Sequence, residues 1–228
     1  MKYMKGRGWE RMTFKKIVCM GDSITEGFGV DQKESYPAVL AKILGSGFTV
    51  VNKGLCSTTT INTENENGIM GYPYLLQDRY REALQEKGDI YVILLGTNDA
   101  QDGMDDTEDF IHEENNMISK KELFVPCYRQ ILTDIRKVNP KAEIYAGLPV
   151  PVQVCIWRKH QESYLKQIRA CIREALADTD VKIIDLNGIF AALPAAEQQK
   201  LYQADGLHPN AAGLALIAET VAKAILTY

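Results

Sequence analysis

Ile17-Val18-Cys19-Met20-Gly21-Asp22-Ser23 is an apolar run that stops abruptly on a glycine, an acid and a serine. Ile24-Thr25-Glu26-Gly27 then carries the chain into a polar, glycine-containing segment. A buried strand has this appearance when it delivers one hydroxyl to the rim of a sheet. The stretch by itself leaves two readings open. Ser23 either caps the helix that follows, the common role of a serine at such a place, or it is a nucleophile.

Working outward, strand-like and helix-like patterns alternate. Lys16 to Met20 reads as the first strand, and Tyr36-Pro37 opens a helix to Leu44, with proline suited to a first helical turn. Phe48 to Asn52 is a second strand, followed by a polar segment from Lys53 to Asn67 that reads as loop. Pro73 to Glu86 has helical periodicity, and Ile90 to Leu95, the most apolar run, is expected to be the central strand. Further helices are expected at Lys120–Val138, Tyr164–Ala177 and Ala211–Leu226, the last with Asn210 as N-cap. Strands are expected at Ile144–Leu148 and Val181–Asp185. Five short strands separated by helices imply an α/β fold with a five-stranded parallel sheet covered on both faces, because right-handed crossovers permit little else.

Composition narrows the function classes. At 228 residues the chain is most simply one domain, residues 1–228, with 1–14 a loosely packed extension. Its 46% hydrophobic and 25% charged content fits a globular protein, and a net charge of −4 argues against nucleic acid as partner. No apolar stretch reaches membrane-spanning length, and Met1 to Phe14 has no apolar secretory core. Five cysteines, odd in number and with no close pair, fit reduced thiols better than a disulfide framework or a zinc site. The resulting expectation is a cytoplasmic protein, with export after removal of a leader as the alternative.

In parallel sheets ligands gather beyond the carboxyl ends of the strands. There the first three strands bring Ser23, Gly54 and Asn98. A fourth piece, Asp205-Gly206-Leu207-His208-Pro209-Asn210, sits in a loop before the last helix. Serine is a weak nucleophile until an imidazole accepts its proton, and an acid must hold that imidazole in one tautomer. Ser23, His208 and Asp205 would supply this set. The Ser23 and Gly54 N–H groups and the Asn98 amide would supply fixed donors for a developing oxyanion.

Gly21-Asp22-Ser23, Gly54, Gly96-Thr97-Asn98-Asp99 and Asp205-Gly206-Leu207-His208-Pro209 resemble, in order and spacing, the four sequence blocks of the SGNH (GDSL-like) hydrolase family. The resemblance spans nearly the whole chain, and the three longer blocks in order are a specific signal where a lone Gly-Asp-Ser is not. It implies a flavodoxin-like three-layer α/β/α sandwich and esterase- or lipase-type acyl hydrolysis that uses no metal and no cofactor. Carried over by position, Ser23 is the nucleophile, His208 the base and Asp205 its orienting acid. Ser23 N–H, Gly54 N–H and the Asn98 amide form the oxyanion hole. Gly71-Tyr72-Pro73-Tyr74 and the proline-then-tryptophan loop look like the carbohydrate acetylesterase branch, so the implied substrate is a small-molecule or glycan ester, with O-acetyl removal from a sugar favoured. A lysophospholipase or thioesterase preference for longer chains stays open.

The departures are small. The first block reads Gly-Asp-Ser-Ile-Thr rather than Gly-Asp-Ser-Leu, and Cys56 lies near the oxyanion loop, where a small buried thiol is expected rather than thiol chemistry. Asp22 is expected to stabilise its turn, and Asp99 to be structural. Trp157 either lines the pocket or packs under its loop. Asp102 to Glu114 carries seven acids without the ligand spacing of a calcium loop and is expected as an exposed excursion at the edge of the site. Two rivals from other classes are a metal-dependent phosphatase using Asp22, Asn98, Asp205 and His208, for which a single histidine is poor, and a flavodoxin-like nucleotide-binding module, which has no use for the Asp205–His208 loop.

Overall fold

The computed structural model describes residues 14–62, 72–100, 120–153 and 161–227. In chain order these form β1 (Lys15–Gly21), α1 (Ser23–Glu26), α2 (Tyr36–Leu44), β2 (Phe48–Gly54), β3 (Thr58–Thr59), β4 (Tyr72–Pro73), α3 (Asp78–Gln85) and β5 (Ile90–Leu94). There follow α4 (Lys120–Val138), β6 (Glu143–Gly147), α5 (Gln161–Ala175), β7 (Lys182–Ile184), α6 (Leu186–Ala191), α7 (Ala195–Gln199) and α8 (Ala211–Thr227).

The main sheet has the order β2-β1-β5-β6-β7 and is parallel throughout. The expected central run does occupy the middle position, and every residue of β5 is buried. Side chains alternate across a strand, so β1 and β5 each feed two cores. Val18, Met20, Tyr91 and Ile93 pack with Phe124, Tyr128 and Ile131 of α4 and Ile168 and Ile172 of α5. Ile17, Cys19, Val92 and Leu94 pack on the other face with Tyr36 and Leu40 of α2 and Ile217 and Val221 of α8. Each such fully buried side chain stabilises the fold by roughly 1.5–3 kcal/mol before entropy is counted. The three-layer architecture is therefore a direct product of the period-two strands and period-3.6 helices.

Several boundaries move for identifiable reasons. β2 runs two residues beyond Asn52, because Lys53 pairs with Met20 and Gly54 with Gly21. The helix expected from Pro73 starts only at Asp78: Tyr74–Leu76 is a 3-10 turn, with the Tyr74 ring buried and its hydroxyl donating to Lys53 O. Part of the expected Lys53–Asn67 loop is ordered as β3, which pairs in parallel with β4. α8 begins as expected, Asn210 Oδ1 accepting from Ala212 N–H at 3.0 Å and Gly213 N–H at 3.2 Å. Trp157, residues 102–114 and residues 1–13 lie outside the described residues. No helix among the described residues is long and apolar enough to cross a membrane.

Candidate active site

β1 ends at Gly21, and Asp22 turns the chain into α1 so that Ser23 is the first helical residue. Asp22 Oδ1 accepts the Ile24 N–H at 3.0 Å, capping that turn. The sharpness of the turn requires glycine at 21: a Cβ there would stand 2.0 Å from Thr25 Oγ1 and 2.5 Å from Leu94 O. Ser23 is thereby held at the strand end with its side chain toward the loop that carries His208.

Ser23 Oγ lies 2.9 Å from His208 Nε2, and His208 Nδ1 lies 2.6 Å from Asp205 Oδ2. Asp205 Oδ1 also accepts the N–H groups of Leu207 at 2.9 Å and His208 at 3.0 Å. Burial alone would raise the Asp205 carboxyl, but the imidazole and the two N–H groups outweigh it and hold the group below its ordinary range. With Asp205 ionised, His208 Nδ1 carries the hydrogen, and Nε2 presents its lone pair to the serine hydroxyl.

The loop is braced from both sides. Gln203 N–H donates to His208 O at 2.8 Å, and Asn210 Nδ2 donates to Lys200 O and Tyr202 O. From the end of β6, Gln153 N–H donates to Gly206 O at 2.7 Å and the Tyr202 hydroxyl donates to Pro151 O. The segment after β6 thus fixes the histidine loop through Pro151 and Gln153.

Opposite His208, the Gly96–Asp99 turn grips the segment after β2. Asn98 Nδ2 donates to Thr58 O at 2.9 Å, and the Asp99 carboxylate accepts from Thr60 N–H and Ile61 N–H at 2.9–3.0 Å. Asp99 is a structural clamp in this arrangement. Asp22 is entirely buried, and burial pushes its carboxyl up to about 7, with the Ile24 N–H and the Thr97 hydroxyl pulling part of the way back. Asp22 Oδ2 and Thr97 Oγ1 are both buried, and neither has a partner at hydrogen-bond geometry among the described residues.

Gly54 needs a correction. Its N–H, expected to face an oxyanion, donates instead to Asn52 Oδ1 at 2.9 Å. Glycine is required there because β2 passes against α1: a Cβ would sit 2.2 Å from Glu26 N and 2.6 Å from Thr25 C. Next along the loop, Leu55 N–H donates to Gly21 O, Cys56 N–H to Glu26 Oε2 at 2.6 Å, and Thr58 N–H to Leu55 O. That leaves Ser57 N–H as the donor of Gly54–Thr58 with no acceptor among the described residues. Ser57 is exposed and has φ of +63°, left-handed backbone that a serine adopts only when its surroundings impose it. Sequence reasoning passed over Ser57 because serine carries no signal for positive φ. Its position three residues after Gly54, within an otherwise tied-down loop, is visible only in three dimensions.

Cys56 is half-buried rather than buried. Burial and then the Glu26 carboxylate push its thiol up to about 12, so it stays protonated at neutral pH. Among the described residues no group of three His, Cys, Asp or Glu side chains is gathered as a metal site, and the residues of the phosphatase reading are instead spent on one another and on backbone.

Comparison with known proteins adds the family. The model of the GDSL-like Lipase/Acylhydrolase family matches residues 19–216, a span that runs from inside β1 into α8. An acetylxylan esterase from Xylanibacter ruminicola is 31% identical over 218 residues, 92% of this chain; the chain spans less than half, 43%, of that relative's length. Among solved structures, a lipase/acylhydrolase from Enterococcus faecalis superposes with a TM-score of 0.65 at 24% identity, covering 93% of this chain and 95% of its own. A member of the lipolytic protein G-D-S-L family from Veillonella parvula gives 0.61 at 15% identity, covering 93% and 99%. These two share the fold. With its sequence blocks gathered at one sheet rim and the family model matched over most of its length, the chain belongs to the GDSL-like lipase/acylhydrolase family.

Proposed function

We propose that this chain is a serine esterase that removes short acyl groups, acetyl first, from a carbohydrate. The observation that carries the reading is the continuous line from Ser23 Oγ through His208 to Asp205, at 2.9 and 2.6 Å. Ser23 Oγ forms a bond to the ester carbonyl carbon as its proton passes to His208 Nε2. Negative charge collects on the carbonyl oxygen, and the bond to the sugar oxygen breaks as His208 returns the proton to it. Water then attacks the acyl-enzyme, gives its proton to the same imidazole, and the acid leaves as Ser23 regains its hydrogen.

The oxyanion is received by Ser23 N–H, by Ser57 N–H in the place expected for Gly54, and by the Asn98 amide. Ser23 stands at the first helical position, where a backbone N–H has no acceptor within its helix. Thr58 O orients the Asn98 amide against the loop that carries Ser57. Donors fixed before the reaction need no reorganisation, which is why such groups lower the barrier.

The acetylxylan esterase relative supports acetyl groups on a saccharide as substrate. The test is acetate release from acetylated xylo-oligosaccharides, together with rates on acetyl, butyryl and decanoyl p-nitrophenyl esters. Acetate release with rates falling along that series is the expected result; a clear preference for decanoate would move the substrate to long-chain esters. Ser23→Ala should lower kcat by at least ~10³-fold with the fold intact. Near-normal turnover in that variant would overturn the mechanism.

A further inference from the structure

A large aromatic side chain stands open beside the reacting groups. Phe28 lies just past α1, where its N–H and that of Gly27 both donate to Ser23 O at 3.0 Å. Its carbonyl accepts from Gln203 Nε2 at 2.7 Å, and Gln203 in turn donates its N–H to His208 O. The Phe28 backbone is therefore tied to the nucleophile's residue on one side and to the histidine loop on the other. Its ring centroid is 4.6 Å from that of the His208 imidazole, with the planes tilted by 40°. Half of the residue's surface, 50%, remains exposed.

This combination is unusual in its economy. A phenylalanine needed only to brace an imidazole would be covered like the other core aromatics, as Phe124 and Phe190 are. The backbone bonds, which any residue at this position could make, hold residue 28 between both halves of the site, so its side chain is what meets whatever enters beside His208. An aromatic ring that is half exposed and packed beside the His208 imidazole is suited to the apolar C–H face of a pyranose, whose hydroxyls point outward around the ring edge. Such a contact costs little conformational entropy, since phenylalanine has only two side-chain torsions and the backbone is already fixed.

We propose that Phe28 is the stacking platform for the sugar ring that bears the acyl group, which makes it a specificity-determining residue for carbohydrate esters. The assignment rests on the carbohydrate-esterase reading above. The sugar lies across the exposed part of the Phe28 ring, and the ester projects from it to Ser23. Placement by a flat surface rather than by directed hydrogen bonds tolerates differences in which ring hydroxyl is acylated.

The test compares an acetylated xylo-oligosaccharide with ethyl acetate, which has no ring to stack, in wild type, Phe28→Ala, Phe28→Leu and Phe28→Tyr. Leucine keeps apolar bulk against the imidazole but has no flat face; tyrosine keeps the face. For both Phe28→Ala and Phe28→Leu, the ratio of kcat/KM for the saccharide to that for ethyl acetate should fall about tenfold, chiefly through KM. Phe28→Tyr should retain that ratio within about twofold. Equal losses on both substrates, carried by kcat and accompanied by a moved pH profile, would overturn the proposal and leave Phe28 as a support for His208 only. An unchanged ratio in Phe28→Leu would overturn it as well. If the wild type hydrolyses ethyl acetate but releases no acetate from the saccharide, the carbohydrate reading fails and takes the platform with it. An active wild type with an unmoved ratio sinks the platform alone.

Discussion

Two aspartates, Asp22 next to Ser23 in the chain and Asp205 on the far side of His208, are treated oppositely by the fold. Asp205 has both oxygens engaged, Oδ2 by the imidazole and Oδ1 by two backbone N–H groups, and is held below the ordinary carboxylate range. Asp22 sits one residue before Ser23 in full burial, with one oxygen on the Ile24 N–H, the other without a partner among the described residues, and its carboxyl pushed up to about 7. The residue type is the same, and the difference comes from how many donors each receives after losing water. Asp205 is placed to stay charged, as the proposed mechanism requires of it while a proton moves onto His208. Asp22 is built to hold a turn, and its second oxygen is a standing cost when ionised.

The sharpest way to break that contrast is Asp205→Asn. The amide keeps the shape but presents no second carboxylate oxygen to favour the Nδ1–H tautomer, so kcat should fall by about 10³–10⁴-fold. A loss under tenfold, measured on p-nitrophenyl acetate with the variant folded by circular dichroism, would remove Asp205 from the catalytic line. Asp22→Asn should cost far less activity, about tenfold or below, because the Asn Oδ1 can still accept the Ile24 N–H. A loss as large as that of Asp205→Asn would erase the distinction between the two acids.

The same pair predicts opposite slopes of stability against pH. The folded pKa of Asp22 is raised, so between about pH 4 and 7 the native state binds more protons than the unfolded chain. Its contribution is fully present at the acid end and is lost as pH rises toward and through 7. Asp205 is lowered, so its contribution is present above the ordinary carboxylate range and is lost as pH falls. Urea midpoints of wild type and Asp22→Asn across pH 4–8 check the first claim: the variant should lose less stability on the way up. Parallel curves would mean that Asp22 does not titrate in this window.

Much of this was legible in the sequence because the relevant signals are local and periodic. The apolar run ending at Gly21, the 3.6-residue pattern of α4 and the Asn210 cap of α8 each carry their own physical cause within a few residues. Ser23, Gly54 and Asn98 could be read as neighbours because strand ends in a parallel sheet share one rim, and Asp205 and His208 joined them through what an activated serine requires and through the family's sequence blocks. What escaped depends on neighbours distant in sequence. Asn52 Oδ1 takes the Gly54 N–H while its amide nitrogen donates to Thr25 O and Glu26 O, and the glycine is demanded by the same Thr25 and Glu26, of a helix that precedes it by some thirty residues. The short α6 and α7 escaped for lack of length. In α6 Asp185 Oδ1 accepts the Gly188 N–H, with Leu186 and Phe190 buried at i, i+4, a cue that was present though brief.

Ser57 separates the two kinds of information most cleanly, and supplies the smallest expected effect. Its φ of +63° is imposed by the bonds on either side, Cys56 N–H to Glu26 and Thr58 O to Asn98. An L-residue pays about 1–2 kcal/mol for that conformation, whereas glycine does not. Ser57→Gly removes the hydroxyl but keeps the backbone N–H in place. If that N–H, and not the side chain, receives the oxyanion, kcat should stay within about threefold of wild type while the urea midpoint holds or rises slightly, glycine's looser unfolded chain offsetting part of the relieved strain. A loss of a hundredfold or more with the midpoint unchanged would assign the work to the Ser57 hydroxyl, and the backbone of this loop would no longer stand opposite Asp205 and His208 as the second half of the site.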